Sequence, residues 1–169
     1  MAALDAMILL TPTKTEAQAL LIAPTLFRGW KVCAEALPPA ILLERAVAAE
    51  DGGWTMPRLY GDRATGEIVG SGAFKSAPKE RRIELGYGVA PTRRGRGFAT
   101  TGARLLVEEA FSSGLVNEVW AEASPRNIAS QRVLEKAGFT REGTGHDDEE
   151  GPVDRWVRRI PAIRPPSGF

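Results

Sequence analysis

The stretch TRRGRGFAT, residues 92–100, places three arginines and two glycines directly before a segment with helical periodicity. It follows the strand-like segment RRIELGYGVAP (81–91), which Pro91 ends. A strand that ends in a glycine turn and opens a helix directs backbone N–H groups at one point, where the helix dipole adds roughly half a positive charge. Gly95 and Gly97 let that backbone come close to a bulky anion. The stretch therefore predicts a pyrophosphate-binding turn.

Other readings of the arginine-rich turn are an exposed basic loop and a nucleic-acid patch. The dinucleotide fingerprint needs a third glycine and the NTP-binding loop needs Gly-Lys-Ser/Thr, and both patterns are missing. The formal net charge is +1, from 22 basic and 21 acidic residues, so the chain has no general attraction to polyanions. We expect neither a nucleic-acid nor a membrane partner.

Composition limits the class of protein. With 169 residues, 43% hydrophobic and 25% charged, the chain is typical of one soluble globular domain, predicted over residues 1–160 with a flexible tail over 161–169. The single Cys33 excludes an internal disulfide and suits a reducing compartment. No signal sequence or membrane-length apolar run is apparent, so a cytoplasmic location is expected. Neither Cys33 nor the single His146 stands in a metal-ligand pattern, and no metal is expected.

Hydrophobic periodicity and turn residues predict strand, helices, three antiparallel strands, helix, strand, helix and two strands. That order fits an α/β class with a mixed sheet and helices on both faces. The predicted strands are 7–13, two within 54–75, 81–91, 117–124 and two around the acidic turn 146–151; the predicted helices are 14–24, 40–53, 98–114 and 127–138, with 26–39 a loop or broken helix.

The strand before the turn has an unusual face. Glu84, Gly86, Gly88 and Ala90 alternate onto one side of it. A glutamate beside two glycines leaves a trough without side chains, which is natural where a ligand lies against the backbone.

Three motifs together resemble one family. RGRGFA (94–99) matches the Gln/Arg-x-x-Gly-x-Gly/Ala motif of the GNAT superfamily of acyl-CoA-dependent N-acyltransferases, and IELGYGVAP resembles that family's fourth strand. NIASQRVLEKAGF (127–139) resembles the signature of the branch containing ribosomal-protein N-terminal acetyltransferases. The resemblance spans about residues 54–160, while the first 53 residues match only in helical character. It implies a GNAT-like, mostly antiparallel sheet flanked by helices.

The resemblance also implies acetyl-CoA as the acyl donor. The turn's main-chain amides would hold the pyrophosphate, and the end of the fourth strand and Asn127 would contact the pantetheine arm. The residues implied in binding are Val89, Ala90, Arg94, Gly95, Arg96, Gly97, Phe98, Ala99 and Asn127.

Acyl transfer to an amine requires a neutral nucleophile. An ammonium with a pKa near 10.4 is deprotonated in only about one molecule in a few thousand at pH 7, so a carboxylate that accepts its proton speeds the reaction. Glu84 matches the position of the carboxylate base in several GNAT members. Glu122, on the next strand of the sheet, is the rival, and both remain open.

The leaving thiolate needs a hydrogen bond. Many GNAT enzymes use a tyrosine at the position that Leu134 occupies here, which is a departure from the pattern. Ser130 shares a helix face with Asn127 and Leu134, and the branch in question has a serine there. Ser130 is therefore predicted to steady the thiolate, the alternative being a small packing residue.

The predicted activity is direct transfer of an acetyl group from acetyl-CoA to a primary amine, either a protein N-terminus or a small molecule. The alternative is a CoA-binding regulatory module with weakened catalysis, which Leu134 favours and the retained Glu84 and Ser130 oppose. An acidic turn at 147–150 would favour cationic amines if it overhangs the acceptor cleft. GNAT proteins are often dimers, and a homodimer is one state open to this chain.

Overall fold

The computed structural model describes residues 6–161, so the first five residues and the predicted tail beyond residue 161 lie outside the described residues. Within that range the chain forms one nine-stranded sheet and four α-helices. The strands are β1 (Met7–Leu10), β2 (Leu26–Phe27), β3 (Trp30–Val32), β4 (Arg58–Asp62), β5 (Glu67–Phe74), β6 (Arg82–Val89), β7 (Glu118–Ala123), β8 (Thr140–Asp147) and β9 (Gly151–Arg159). The helices are α1 (Lys14–Ile22), α2 (Ala40–Ala48), α3 (Phe98–Ser112) and α4 (Ile128–Lys136), and a 3-10 turn spans Pro91–Arg93.

The main path of the sheet runs β1-β4-β5-β6-β7-β9-β8. Every pair on this path is antiparallel except β6 and β7, which run parallel. The predicted mixed, mostly antiparallel sheet flanked by helices is confirmed. The helix predicted over 40–53 ends earlier, at Ala48, because Ala49 already has extended backbone angles.

The segment 26–39 was predicted as a loop or broken helix, and this was wrong for its first part. Strands β2 and β3 form a small hairpin whose turn is made by Arg28 and Gly29, with φ of 48° and 82°. Two successive positive φ values are what a tight two-residue hairpin requires, and glycine meets that need without strain. Strand β3 then pairs in parallel with β5, which attaches the hairpin to the sheet.

Helix α3 packs closely on the sheet over a buried tyrosine. The ring of Tyr60 is fully buried, and a Cβ at Gly102 would lie 2.2 Å from its Cζ. A Cβ at Gly72 on β5 would lie 2.4 Å from the Tyr60 hydroxyl oxygen. Glycine at both positions therefore allows the helix and the sheet to close on the ring. Helix α4 lies beside α3, where the Arg104 guanidinium donates to the carbonyl of Lys136.

The sheet opens between its two central strands. Parallel pairing of β6 with β7 covers only residues 82–84 and 118–120, although β6 continues to Val89 and β7 to Ala123. Past Glu84 the two strands are no longer paired, and the region between them is called the strand gap below. None of the helices within residues 6–161 is long and apolar enough to cross a membrane.

Candidate functional site

The strand gap exposes main-chain groups of β6. The Lys75 amide donates to Glu84 O and the Ala90 amide donates to Val69 O, so even-numbered residues of β6 direct their backbone groups at β5. By alternation, Tyr87 and Val89 direct theirs into the gap, where no strand partner follows within the described residues. Ala90, which the resemblance implied beside Val89, has its N–H already bonded to Val69. Tyr87 was not among the predicted residues, and its main chain faces the gap instead.

The glycine turn at the end of β6 has an open surface. Gly95 and Gly97 have φ of 75° and 84°, and no atom lies within 4 Å of a Cβ built on either. The backbone conformation, rather than a close contact within the protein, therefore requires glycine at both positions. Gly97 is the N-cap of α3 and, having no side chain, cannot cap the amides of the first turn. The amides that follow, from Phe98 and Ala99, are left for an anion at the helix N-terminus.

The three arginines of the turn have different surroundings. Arg93 forms a bidentate ion pair with Glu67 on β5, with N–O distances of 2.8–3.1 Å, and so connects the turn to the sheet. The Nε of Arg94 donates to Val89 O at 3.3 Å. Arg96 is exposed, and no acceptor from residues 6–161 engages its guanidinium. Of the three, Arg96 is the arginine most available to a phosphate.

The predicted base, Glu84, lies where β6 and β7 separate. Its register partner on β7 is Trp120, the last pair before the gap. Its carboxylate is 2.6 Å from the Lys75 ammonium, and the side chain of Glu84 is 17% exposed against 55% for Lys75. The Lys75 stem passes over Gly86, where a Cβ would lie 3.6 Å from Lys75 Cε. Glu84 is thus already paired with a primary ammonium, that of Lys75, and the Lys75 side chain is exposed to solvent.

The rival carboxylate, Glu122, is held more firmly. Arg155 donates to it at 3.0 Å, and the same guanidinium lies 4.5 Å from the centre of the Trp120 ring. A Cβ at Gly145 on β8 would lie 2.8 Å from Glu122 Oε1, so β8 passes close by. A carboxylate paired with a stacked arginine is less free to turn toward a ligand than one paired with an exposed lysine.

Helix α4 brings Ser130 to Tyr87, whose main chain faces the strand gap, and Asn127 lies at the start of the same helix. The Asn127 side-chain oxygen caps the helix by accepting from the Ser130 amide at 3.0 Å. The Ser130 hydroxyl is 2.9 Å from the hydroxyl of Tyr87, which also reaches the Ser130 carbonyl oxygen at 3.2 Å. Leu134 is fully buried in the core and offers no hydroxyl. Burial raises the pKa of Tyr87, so its phenol remains a hydrogen-bond donor at neutral pH.

An open depression of about 770 Å³ lies at the end of β7. Its wall joins the N-terminus of α4 to the β8–β9 turn and consists of Ser124, Pro125, Arg126, Asn127, Glu150 and Pro152. The pKa of Asp147 in that turn is lowered by the amides of Glu150 and Glu149 and, more weakly, by the charge of Lys75. Glu150 of the acidic turn borders this depression. His146 is exposed on β8.

Known proteins resemble this chain in sequence and in fold. A probable N-acetyltransferase, YjcK of Bacillus subtilis, is 42% identical over 86 residues, which are 51% of this chain and 44% of YjcK. The chain spans about half the length of the curated relatives it matches.

Among solved structures, the ribosomal-protein-S5-alanine acetyltransferase of Vibrio fischeri superimposes with a TM-score of 0.70 at 15% identity, covering 95% of this chain and 96% of that chain. AAC(6')-Ib in complex with ribostamycin and coenzyme A superimposes with a TM-score of 0.62 at 22% identity, covering 92% and 94%. The acetyltransferase (GNAT) domain family matches residues 8–140, well over half of the chain. With that match, the shared fold and the glycine turn at the head of α3, the chain belongs to the GNAT acetyltransferase family.

Proposed function

We propose that this protein is an acetyl-CoA-dependent N-acetyltransferase that moves an acetyl group directly to a primary amine. The observation that carries the proposal is the strand gap, because the unpaired edge of β6, the glycine turn and Glu84 all border it. A gap in the middle of a sheet leaves backbone amides unsatisfied, and it persists where a ligand uses them.

The donor fits the strand gap by its chemistry. The pantetheine arm carries amides that can pair with the main chain of Tyr87 and Val89 as an added strand would. The turn amides from Arg94 to Ala99 and the guanidinium of Arg96 supply the charge complement for a pyrophosphate. The side-chain oxygen of Asn127 caps α4, which leaves its side-chain N–H groups to donate to the arm.

The acid–base step belongs to Glu84 and Ser130. Glu84 accepts a proton from the acceptor's ammonium, directly or through water, so that the amine nitrogen can bond to the acyl carbon. As that C–N bond forms, the C–S bond breaks and its electron pair goes to sulfur, and the nitrogen gives up its second proton to water. The Ser130 hydroxyl donates a hydrogen bond to this sulfur, which develops negative charge. Glu122 stays in its pair with Arg155 and keeps the sheet surface beside the site in place.

The acceptor we propose is a cationic amine. Lys75 already places a primary ammonium on Glu84, and Glu150 adds a carboxylate to the depression at the end of β7. The two structural relatives act on amines of different kinds, an alanine of ribosomal protein S5 in one and an aminoglycoside in the other. A small polyamine, an aminoglycoside and a peptide with a free N-terminus therefore make up the first acceptor panel.

Release of free thiol from acetyl-CoA over that panel tests the activity. We expect turnover with cationic amines and a Glu84→Gln variant whose rate falls steeply at neutral pH and less at high pH, where the amine is neutral without help. Glu122→Gln is the matched control and should retain the shape of the wild-type profile. Tight CoA binding without turnover of any acceptor would instead support a regulatory CoA-binding module.

A further inference from the structure

A tyrosine that was not among the predicted site residues is hydrogen-bonded to Ser130, the serine proposed to stabilise the leaving thiolate. Tyr87 belongs to the part of β6 that borders the strand gap, and its side chain reaches across to α4. Its hydroxyl oxygen is 2.9 Å from Ser130 Oγ and 3.2 Å from the Ser130 carbonyl oxygen. The two residues are 43 positions apart in the chain, so the fold alone creates this contact.

The number of protons restricts what this pair can do. Each hydroxyl carries one proton and can accept as well as donate. When the phenol donates to the Ser130 carbonyl, the serine proton points back at the phenol oxygen. When the phenol donates to Ser130 Oγ, the serine proton is free to point into the cleft.

Without the phenol, the serine proton has a competing acceptor. A serine inside a helix commonly donates to the carbonyl three or four residues earlier, and the N-cap Asn127, three residues before Ser130, offers such a carbonyl. That arrangement turns the proton toward the helix and away from the cleft. The Ser130 amide, already bonded to Asn127, cannot correct the hydroxyl orientation.

We propose that Tyr87 is a positioning residue that donates its hydrogen bond to Ser130 Oγ and so directs the single Ser130 hydroxyl proton at the sulfur of the departing coenzyme A. The inference rests on the proposed function for its ligand. It accounts for how this chain stabilises a thiolate although Leu134 leaves no hydroxyl at the usual position of the helix. No proton leaves Tyr87 in this step, and the thiol regains its proton from solvent on release.

Titration of bound coenzyme A tests this without any acceptor. The ultraviolet absorbance of the thiolate, recorded as the difference between CoA-loaded and free protein, gives the pKa of the bound thiol. Removing one hydrogen bond to a charged group should raise that pKa by about one unit in Tyr87→Phe and in Ser130→Ala alike. The double variant should show the same shift as either single variant, because both changes remove one interaction.

Tyr60→Phe is the matched control. Tyr60 is the other tyrosine of the chain, its hydroxyl has no hydrogen-bond partner within the described residues, and it lies under α3. This variant should leave the bound-thiol pKa at the wild-type value. In turnover, Tyr87→Phe should lower kcat about tenfold with little change in the KM for acetyl-CoA.

Two results would overturn the inference. A bound-thiol pKa that Tyr87→Phe leaves unchanged would reduce Tyr87 to a packing residue, and an undiminished effect of Tyr87→Phe in the Ser130→Ala background would show that it acts elsewhere. Absence of turnover with every amine would count against the proposed function alone, since the titration still decides the role of Tyr87.

Discussion

Lys75 shows at the level of one residue how the cleft can select its acceptor. Its ammonium occupies the position on Glu84 that an acceptor's ammonium would need, and the lysine is more than half exposed. An ion pair of this kind contributes little to stability, typically 0.2–1 kcal/mol, so an incoming cation can displace it.

Replacing Lys75 by methionine should therefore lower the KM for cationic amines by up to about fivefold, the equivalent of the energy of such an exposed pair. Steady-state kinetics with a polyamine acceptor measures this. Lys79→Met changes an exposed lysine on the same connection and serves as the control. An unchanged or higher KM in Lys75→Met would show that acceptors do not bind at Glu84.

Among the elements, α1 begins with two mutually supporting interactions. Thr13 and Glu16 form a capping box, and Glu16 also receives two hydrogen bonds from Arg28 in the β2–β3 turn. The Arg28 guanidinium, helped by the Thr13 amide, lowers the pKa of Glu16 from 4.5 to about 2. The pair thus connects the helix to the β2–β3 hairpin.

Because the pKa of Glu16 is lower in the folded than in the unfolded chain, its contribution to stability is complete above about pH 4.5 and is lost as the pH falls toward 2. Glu16→Gln should be less stable than wild type at pH 7, and the difference should shrink between pH 5 and pH 3. Urea unfolding across that range measures the free energies. Glu44→Gln, at an exposed glutamate of α2 with no ion pair among the described residues, serves as the control.

The turn between β6 and α3 separates structural from binding arginines. Arg93→Ala leaves Glu67 without its partner and should lower the free energy of unfolding. Arg96→Ala should leave that free energy unchanged and weaken CoA binding, with a smaller salt dependence than wild type. Urea unfolding and calorimetric titration with CoA distinguish them; equal effects on binding and stability would contradict the assignment.

The longer elements could be predicted because their periodicity extends over several residues, as in α3 and β6. The β2–β3 hairpin could not, since strands of two and three residues are too short to show alternation, and only Gly29 marked its turn. The candidate site divides in the same way. The glycine turn is local in sequence and was recognisable, whereas the contacts of Tyr87 with Ser130 and of Arg93 with Glu67 join residues 43 and 26 positions apart.

For the whole molecule, the strand gap links ligand binding to the stability of the fold. Only three residue pairs of β-ladder join β6 to β7, so the two halves of the sheet are connected weakly at this point. A ligand that bridges the gap adds contacts to both halves in the folded state only.

Coenzyme A at about a hundred times its Kd should stabilise the fold by about 2.7 kcal/mol. For a chain of this size, that corresponds to a rise in Tm of about 5–11 °C. Differential scanning calorimetry measures the shift, and pantetheine at the same concentration, which lacks the pyrophosphate, should give a clearly smaller one. A Tm that does not respond to CoA would contradict binding across the gap.

The strand gap also has a consequence for the speed of association. The strand gap belongs to the fold itself, since β6 and β7 pair only up to Glu84 and Trp120, so no strand pairing has to break before the donor enters. A site that is open in advance binds in one step, and its observed association rate rises in proportion to ligand concentration without levelling off. In stopped-flow mixing, the observed rate constant should therefore increase linearly with CoA concentration. The slope is then the rate constant for encounter with the turn at the head of α3, and no rearrangement of the sheet limits it.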